Sequence, residues 1–364
     1  MHVFISWQAI AAKGLNMEEN NAARKARPPV LVTGGAGYIG SHAVLALADA
    51  GWSVTVIDDL STGFGFAVPE GVPFYKGDIA DTDLLARIFA EQGTGAIMHF
   101  AGSILVGESV EQPLRYYYNN TVKSRTLIEA ALAAKVSHFI FSSSAAVYGV
   151  PQSSPIEEEV PLVPINPYGW SKLMTERMLA DTCAVHDLNY CSLRYFNVAG
   201  ADPLMRSGES TAKASHLVKV AVEAALEKRT HVGVFGEDYD TPDGTGVRDY
   251  IHVSDLARAH VLALEALIDR PERSLTMNCG YGHGFSVREV LDAVDRVVGR
   301  PIARRIEPRR AGDPDTLVAD PSRIRATLEW VPAHGDLDTI VAHALEWERK
   351  LSQMRGHGAG SAID

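Results

Sequence analysis

Residues 30–40 read VLVTGGAGYIG, a short apolar run followed by Gly34, Gly37 and Gly40 at three-residue spacing. A chain built this way has few choices. The apolar run before the glycines suits a buried strand, and YIGSHAVLALADAG suits a helix ending at Gly51. Glycines at a strand-to-helix turn permit a tight bend, close backbone approach to a pyrophosphate, and close packing of helix on strand. The helix N-terminus, with its free N–H groups, favours the negative charge. A glycine pattern alone is weak, and the strand and helix around it give it weight. The next strand, SVTVIDD, carries Asp58 at its end, 18 residues beyond Gly40. A carboxylate there accepts hydrogen bonds from an adenosine ribose and repels a 2′-phosphate, so NAD is expected rather than NADP.

The alternation continues. VPFYKGD, a helix over 81–91, AIMHFAG, a long helix near 113–134, HFIFSSS, a helix at 168–186 and YCSLRYFNV follow in order. Strands alternating with helices predict an α/β fold, a doubly wound parallel sheet of Rossmann type. After Asn197 come loops rich in Gly, Asp and Pro, such as GEDYDTPDGTGVRDY, which read as a smaller α/β substrate lobe. HVSDLARAHVLALEAL and SLTMNCG read as a return to the first domain. The expected division is a dinucleotide-binding domain over 29–198 with 251–282 returning to it, and a substrate-binding lobe over 199–250 and 283–355. Ser286 with Glu289 three residues on predicts a capping box.

Composition narrows the partners. The 364 residues carry a net charge of −11, which argues against a nucleic-acid surface or an anionic membrane. An anionic ligand must then be met by local arginines or helix N-termini. Cys183, Cys191 and Cys279 lack metal-type spacing and suit a reducing cytoplasm, each expected as a small buried apolar residue. No metal site is expected. Residues 1–28 lack a basic n-region and are expected to be a poorly ordered leader, with Met17 an alternative start. The tail RGHGAGSAID is expected to fray. No stretch of 18 apolar residues predicts a membrane helix.

NPYGWSK, residues 166–172, sets Tyr168 and Lys172 four apart behind Asn166, a good N-cap, and Pro167, a good first helical residue. Positions i and i+4 share a helix face, so an ammonium comes near a phenol. The same spacing also fits an ordinary helix start. FIFSSS ends with Ser144, which puts a hydroxyl at the carboxyl edge of a parallel sheet, where such folds bind ligands. Ser144, Tyr168 and Lys172 together form a recognisable set. A free phenol has a pKa near 10, and a nearby ammonium together with the positive ring of the expected NAD would lower it toward working pH.

With TGGAGYIG, HFAG, SSSAAVYG, YGWSK and LRYFNVAG, the chain resembles the extended short-chain dehydrogenase/reductase family. VGESV, DGTGVRDYIHVSDLA and PRRAGD extend the likeness to that family's UDP-sugar 4-epimerase branch, over roughly residues 30–350. The resemblance implies epimerisation at C4 of UDP-glucose and UDP-galactose, by transient oxidation to a 4-keto sugar with bound NAD. A UDP-pentose 4-epimerase is the alternative. Tyr168 would take the proton from the sugar 4-hydroxyl, Lys172 would favour its phenolate, and Ser144 would hydrogen-bond the reacting oxygen. The cofactor set it implies is Gly34, Gly37, Tyr38, Ile39, Gly40, Asp58, Asp59, Asp78, Ile79, Phe100, Ala101, Gly102, Asn119, Ser142, Tyr168, Lys172 and Tyr195. Beyond the catalytic group, the substrate set is Asn197, His216, Leu217, Arg248, Arg310, Asp313 and Leu317. Two arginines suit a diphosphate, and Asp313 a ribose. A homodimer through the helices at 113–134 and 168–186 is also implied.

Two positions depart from the family pattern. Ile104 stands where many members have a lysine, and His216 where an asparagine is common; a neutral imidazole there can still donate one hydrogen bond. Leu317 falls where restricted members carry tyrosine and members accepting N-acetylated sugars a small residue. Nucleotide-sugar 4,6-dehydratases and UDP-glucuronate decarboxylases need an acid just before VYG, where this chain has Ala146, preceded by Ala145. A non-catalytic NAD-sensing regulator would typically lose the Tyr or Lys that this chain keeps.

Overall fold

The computed structural model describes residues 27–211, 214–270, 274–310 and 312–357. The expected leader, as far as residue 26, and the tail from 358 lie outside the described residues.

Seven parallel strands form the central sheet in the order β11-β6-β5-β4-β1-β2-β3. They are β1 Val30–Thr33, β2 Val54–Asp58, β3 Phe74–Lys76, β4 Ala96–His99, β5 His138–Ser142, β6 Asn189–Tyr195 and β11 Leu275–Cys279. Strands buried on both faces read as continuous apolar runs, and the pleat sends alternate residues to opposite sides. Leu31, Ile57, Ile97, Phe139 and Phe141 enter one core with α2 (Thr82–Gln92), α4 (113–133) and α5 (Pro167–Cys183). Val30, Val32, Val54, Val56, Met98 and Ile140 enter the other, with α1 (Tyr38–Asp49) and α7 (Val253–Asp269). The order reverses at β1, which pairs with β2 on one side and β4 on the other. That leaves a crevice at the carboxyl ends of β1 and β4.

The long helix expected near 113–134, α4, is interrupted. It runs as Pro113–Tyr116, a π-helical turn Tyr117–Val122, and Lys123–Ala133, with a short α3 (Val106–Glu111) before it. Ladder geometry that the apolar pattern does not report decides this.

The remaining elements lie beyond β6. β7 (Asn197–Ala199) pairs with β10 (Tyr250–His252), β9 (Val247–Arg248) with β12 (Phe285–Ser286) and β14 (Thr316–Leu317), and β8 (Val232–Phe235) with β13 (Arg304–Glu307). Helices α6 (Leu217–Ala225), α8 (Val287–Val298) and α10 (Leu337–His357) bury Val222, Leu291 and Ile340 in the same core that backs the sheet; α9 (Ser322–Leu328) adds Ile324. The capping box at Ser286 and Glu289 is present. Cys191 and Cys279 are buried, but Cys183, the last residue of α5, is half-buried at the edge of the core it packs against. No described helix is long and apolar enough to cross a membrane.

Candidate active site

The turn after β1 needs glycine twice. Gly34 has φ +70°, and a Cβ there would lie 2.6 Å from the Ala101 amide nitrogen. A Cβ on Gly40 would run into the carbonyl of Gly34. These absent side chains keep β1, β4 and α1 in close approach. α1 is capped by Gly37 with no side-chain hydrogen bond, so its first amides face the crevice without a protein carboxylate or hydroxyl on them.

Asp58 closes this cradle. Its Oδ2 accepts from the Ala36 amide at 2.9 Å and its Oδ1 from the Leu60 amide at 2.8 Å. Burial pushes its carboxyl pKa up, while those two hydrogen bonds pull the other way. The carboxylate thus ties the glycine turn to β2 while keeping lone pairs for ribose hydroxyls. A glycine cradle, a free helix N-terminus and a buried carboxylate fit a dinucleotide. Asp59 accepts from the Ser61 amide at 2.8 Å. Asp78 pairs with Lys123 at 2.5 Å, and Ile79 next to it is buried.

The other strands bring the rest to the same edge. After β4, the Phe100 ring packs at a tilt against His260 with centroids 4.8 Å apart, Ala101 meets the glycine turn, and Gly102 faces the side-chain oxygen of Asn120. Tyr38 donates to the Gly200 carbonyl at 2.7 Å, and Ile39 beside it packs on the core. The Ser142 hydroxyl, at the end of β5, bonds the Tyr195 hydroxyl from β6 at 2.7 Å. Asn119 donates to the Ser103 hydroxyl at 3.0 Å, while Asn120 bonds both the amide and the carbonyl of Ser103. Ile104 is exposed.

α5 starts as its sequence predicts: Asn166 accepts from the Gly169 amide at 2.9 Å and Pro167 occupies the first turn. Tyr168 and Lys172 are both buried, and Lys172 Nζ donates to the Ser142 carbonyl at 2.8 Å. Ser144 caps the short turn Ala145–Tyr148, accepting from the Ala146 amide at 3.2 Å.

Burial pushes the Tyr168 phenol above its ordinary value, opposed by a hydrogen bond from Ser144. The Lys172 ammonium is engaged by the Ser142 carbonyl, 5.9 Å from the Tyr168 ring centroid, and burial lowers its own pKa to about 8.

The substrate candidates divide. Arg248 pairs with Asp313 at 2.6 Å, and Tyr239 donates to the other oxygen of Asp313 at 3.2 Å. Arg310 lies over the Phe235 ring at 3.9 Å. Leu317 stands opposite Arg248 in the β14–β9 pair and packs on the cluster of Ala145, Val147, Tyr148 and Phe196. That places it against the turn capped by Ser144. Asn197 opens β7, its amide bonded to the Asp249 carbonyl, and Leu217 opens α6. Glu209 accepts from His216 Nδ1 at 2.7 Å, and that negative charge pushes the imidazole pKa up.

Sequence reasoning missed four groups at this edge. Ser103 and Asn120 are two; the others are His99 and Glu176. His99 is held between the Thr33 and Ser124 hydroxyls, each at 2.7 Å, and is kept neutral by burial and by the Lys172 charge. Glu176 follows Lys172 by four on the same helix face, a spacing visible in the sequence. Among the described residues, no group of three or more His, Cys, Asp or Glu side chains could hold a metal ion.

Residues 30–280 match the family described as "NAD dependent epimerase/dehydratase family". The chain belongs to that family. Within it, the chain is 57% identical to the UDP-glucose 4-epimerase of Azospirillum brasilense over 91% of its own length and 95% of that protein's. Among solved family structures, the UDP-glucose 4-epimerase of Stenotrophomonas maltophila, with bound NAD and formylated UDP-arabinopyranose, superposes with a TM-score of 0.87. It is 39% identical, covering 90% of this chain and all of that one. The enzyme of Bifidobacterium longum, in complex with NAD+ and UDP, gives 0.83 at 40% identity, covering 88% and 98% of the two chains.

Proposed function

We propose that this chain interconverts UDP-glucose and UDP-galactose by epimerisation at C4, with NAD as its resident cofactor. The observation that carries the reading is the convergence of Ser144, Tyr168 and Lys172 at the carboxyl edge of the sheet, beside the cradle of Gly34 and Asp58. The 57% identical Azospirillum relative carries the matching activity in its name.

NAD bound in the cradle supplies a two-electron acceptor and donor for the sugar C4. The cofactor set from Gly34 to Tyr195 given above would hold it, with Asp58 on the adenosine ribose and the α1 N-terminus on the pyrophosphate. Tyr168 moves the proton of the sugar 4-hydroxyl. Burial opposes its phenolate, so the positive charge in the site must outweigh that burial; each pKa unit corresponds to about 1.4 kcal/mol. Ser144 donates to the reacting oxygen and Lys172 supplies the fixed positive charge. Arg248 and Arg310 grip the diphosphate, Asp313 the ribose, and Asn197, His216 and Leu217 line the rest of the nucleotide site. To engage, the diphosphate must compete with Asp313 for Arg248. Ala145, buried, and Ala146 offer no carboxyl group, which disfavours the dehydratase and decarboxylase readings. A UDP-pentose needs the same C4 chemistry and is the second reading, favoured by the arabinopyranose ligand of the Stenotrophomonas relative.

A homodimer in the cytoplasm completes the proposal. Leu114, Tyr118 and Val122 on α4 and Trp170 and Met174 on α5 are exposed on the two helices expected to pair. Three free cysteines suit a reducing compartment.

The test is to incubate the purified protein with UDP-galactose, and separately with UDP-arabinose, without added cofactor, and to follow the product by NMR. Equilibration of the hexose pair supports the reading. Pentose turnover alone would move the assignment to the second one, and no turnover of either would overturn both.

A further inference from the structure

Behind the candidate catalytic group lies a buried ion pair that the chemistry above leaves unused. Glu176, one turn past Lys172 on α5, meets Arg194 of β6, and the two side chains are only 7% and 6% exposed. Arg194 grips the carboxylate with two nitrogens, Nη2 to Oε2 at 2.7 Å and Nε to Oε1 at 3.0 Å. Oε1 also accepts from the Ser143 hydroxyl. Arg194 Nη1 donates to the Tyr148 hydroxyl at 3.0 Å, and Tyr148 donates to Asn278 at 2.7 Å.

These contacts converge on one tripeptide. The Ser142 carbonyl is held by Lys172 and its hydroxyl by Tyr195. The Ser143 amide is held by the Leu193 carbonyl at 2.9 Å and its hydroxyl by Glu176. Ser144, next in the chain, has its place fixed by the residues before it and by Tyr148, which ends its turn. A buried ion pair is poor ground for stability, because replacement by apolar groups is often neutral, whereas loss of one partner strands a charge. The position of this pair, touching the strand end on one side and one helical turn from Lys172 on the other, argues for a different use.

We propose that Glu176, through Arg194 and Ser143, is a positioning residue: it fixes the 142–144 strand end and balances the ammonium of Lys172. The charged and titratable groups around Lys172 are Tyr168 and Glu176 on its own helix, His99 from β4, and Tyr195 and Arg194 from β6. Burial lowers the Lys172 pKa, and among these groups Glu176 opposes that push. Glu176→Gln leaves Arg194 uncompensated, so the ammonium is lost at lower pH. Arg194→Met leaves a bare carboxylate, so the ammonium persists to higher pH.

The basic limb of kcat/KM therefore moves in opposite directions in the two variants. With each protein loaded with NAD and UDP-galactose as substrate, we expect a shift of about one pH unit down for Glu176→Gln and about one up for Arg194→Met. Glu176→Asp should restore the wild-type limb. Ser143→Ala, which removes only a hydroxyl, should lower kcat about fivefold with KM and the pH limb unmoved. A purely structural pair would lower Tm in both charge variants and move neither limb. That outcome overturns the proposal, as do shifts of the same sign. Should either charge variant yield no NAD-loaded protein, Ser143→Ala decides alone, and wild-type kcat in it overturns the proposal. Wild-type protein that binds NAD but turns over no UDP-sugar would instead refute the epimerase reading on which this rests.

Discussion

The ammonium of Lys172 is hydrogen-bonded to the carbonyl of Ser142 at 2.8 Å, and thereby anchors the strand end that carries Ser144. The lysine is fixed beside Tyr168 rather than free to pair with it. The Tyr168 ring, itself buried, has that ammonium 5.9 Å from its centroid.

Tyr168→Phe should keep the fold and the bound NAD and lose at least about a hundredfold in kcat, the low end for a positioned acid/base. Turnover under saturating UDP-galactose measures it. Near-normal kcat would remove Tyr168 from the proton-transfer role.

Wild-type protein should keep NAD through desalting and need none added, because what the cofactor accepts is returned within each cycle. Gly34→Ala should lose it. At φ +70° a Cβ costs about 1–2 kcal/mol before its clash with Ala101 is counted. The nucleotide released on denaturing each protein reports the loss. A fully loaded Gly34→Ala protein would mean that the cradle is looser than its geometry.

Stability should fall in acid. His42, His99, His252 and His260 are buried, and burial lowers their pKa values to about 4, 3, 2 and 4 respectively. Each folded value lies below the ordinary 6.5, so the unfolded chain takes protons that the folded one refuses. Stability is then complete above about pH 6.5 and declines below it, by about 1.4 kcal/mol per pH unit for each histidine that stays neutral. Melting curves at pH 7.5 and 5.0 should differ by several degrees. Equal Tm values would show that these rings are protonated in the fold.

If α4 and α5 pair across a two-fold axis, a charge placed on that face should split the assembly. Leu114→Glu with Met174→Glu should halve the mass seen by light scattering, while the bound NAD stays. A wild-type protein that is already monomeric refutes the dimer.

Leu317→Tyr tests substrate range. Leucine there leaves more room than tyrosine, so wild type should prefer unsubstituted sugars yet turn over UDP-N-acetylglucosamine weakly. Pocket-size discrimination is worth about 1–3 kcal/mol per methylene-sized change. Comparing kcat/KM for both sugars in both proteins decides it. Equal efficiencies in wild type, or unchanged acetamido-sugar turnover in Leu317→Tyr, would leave Leu317 as packing against Val147 and Phe196.

Much of this fold was legible because its signals are local. The glycine turn, Asp58, the start of α5 and the capping box at Ser286 each declare themselves within a few residues. What escaped was built across the sheet. Glu176 meets Arg194 only because α5 packs against β6, and His99 joins Thr33 only because β4 pairs with β1. Charge likewise depends on neighbours remote in sequence or on depth in the fold: burial pushes the Tyr168 phenol up, and the approach of Glu209 pushes the His216 imidazole up.

The π-helical turn Tyr117–Val122 has a consequence for anyone engineering this scaffold. Consecutive residues of a regular helix point about 100° apart. Here Asn119 and Asn120, neighbours in sequence, both reach Ser103. The wider turn accommodates one residue more than an α-helix would, at the expense of ladder geometry. Deleting that extra residue would straighten the helix and raise its intrinsic stability, with everything downstream still in phase. It would also remove one of the two amides from the Ser103 loop, so a thermostability screen blind to turnover would select against the enzyme.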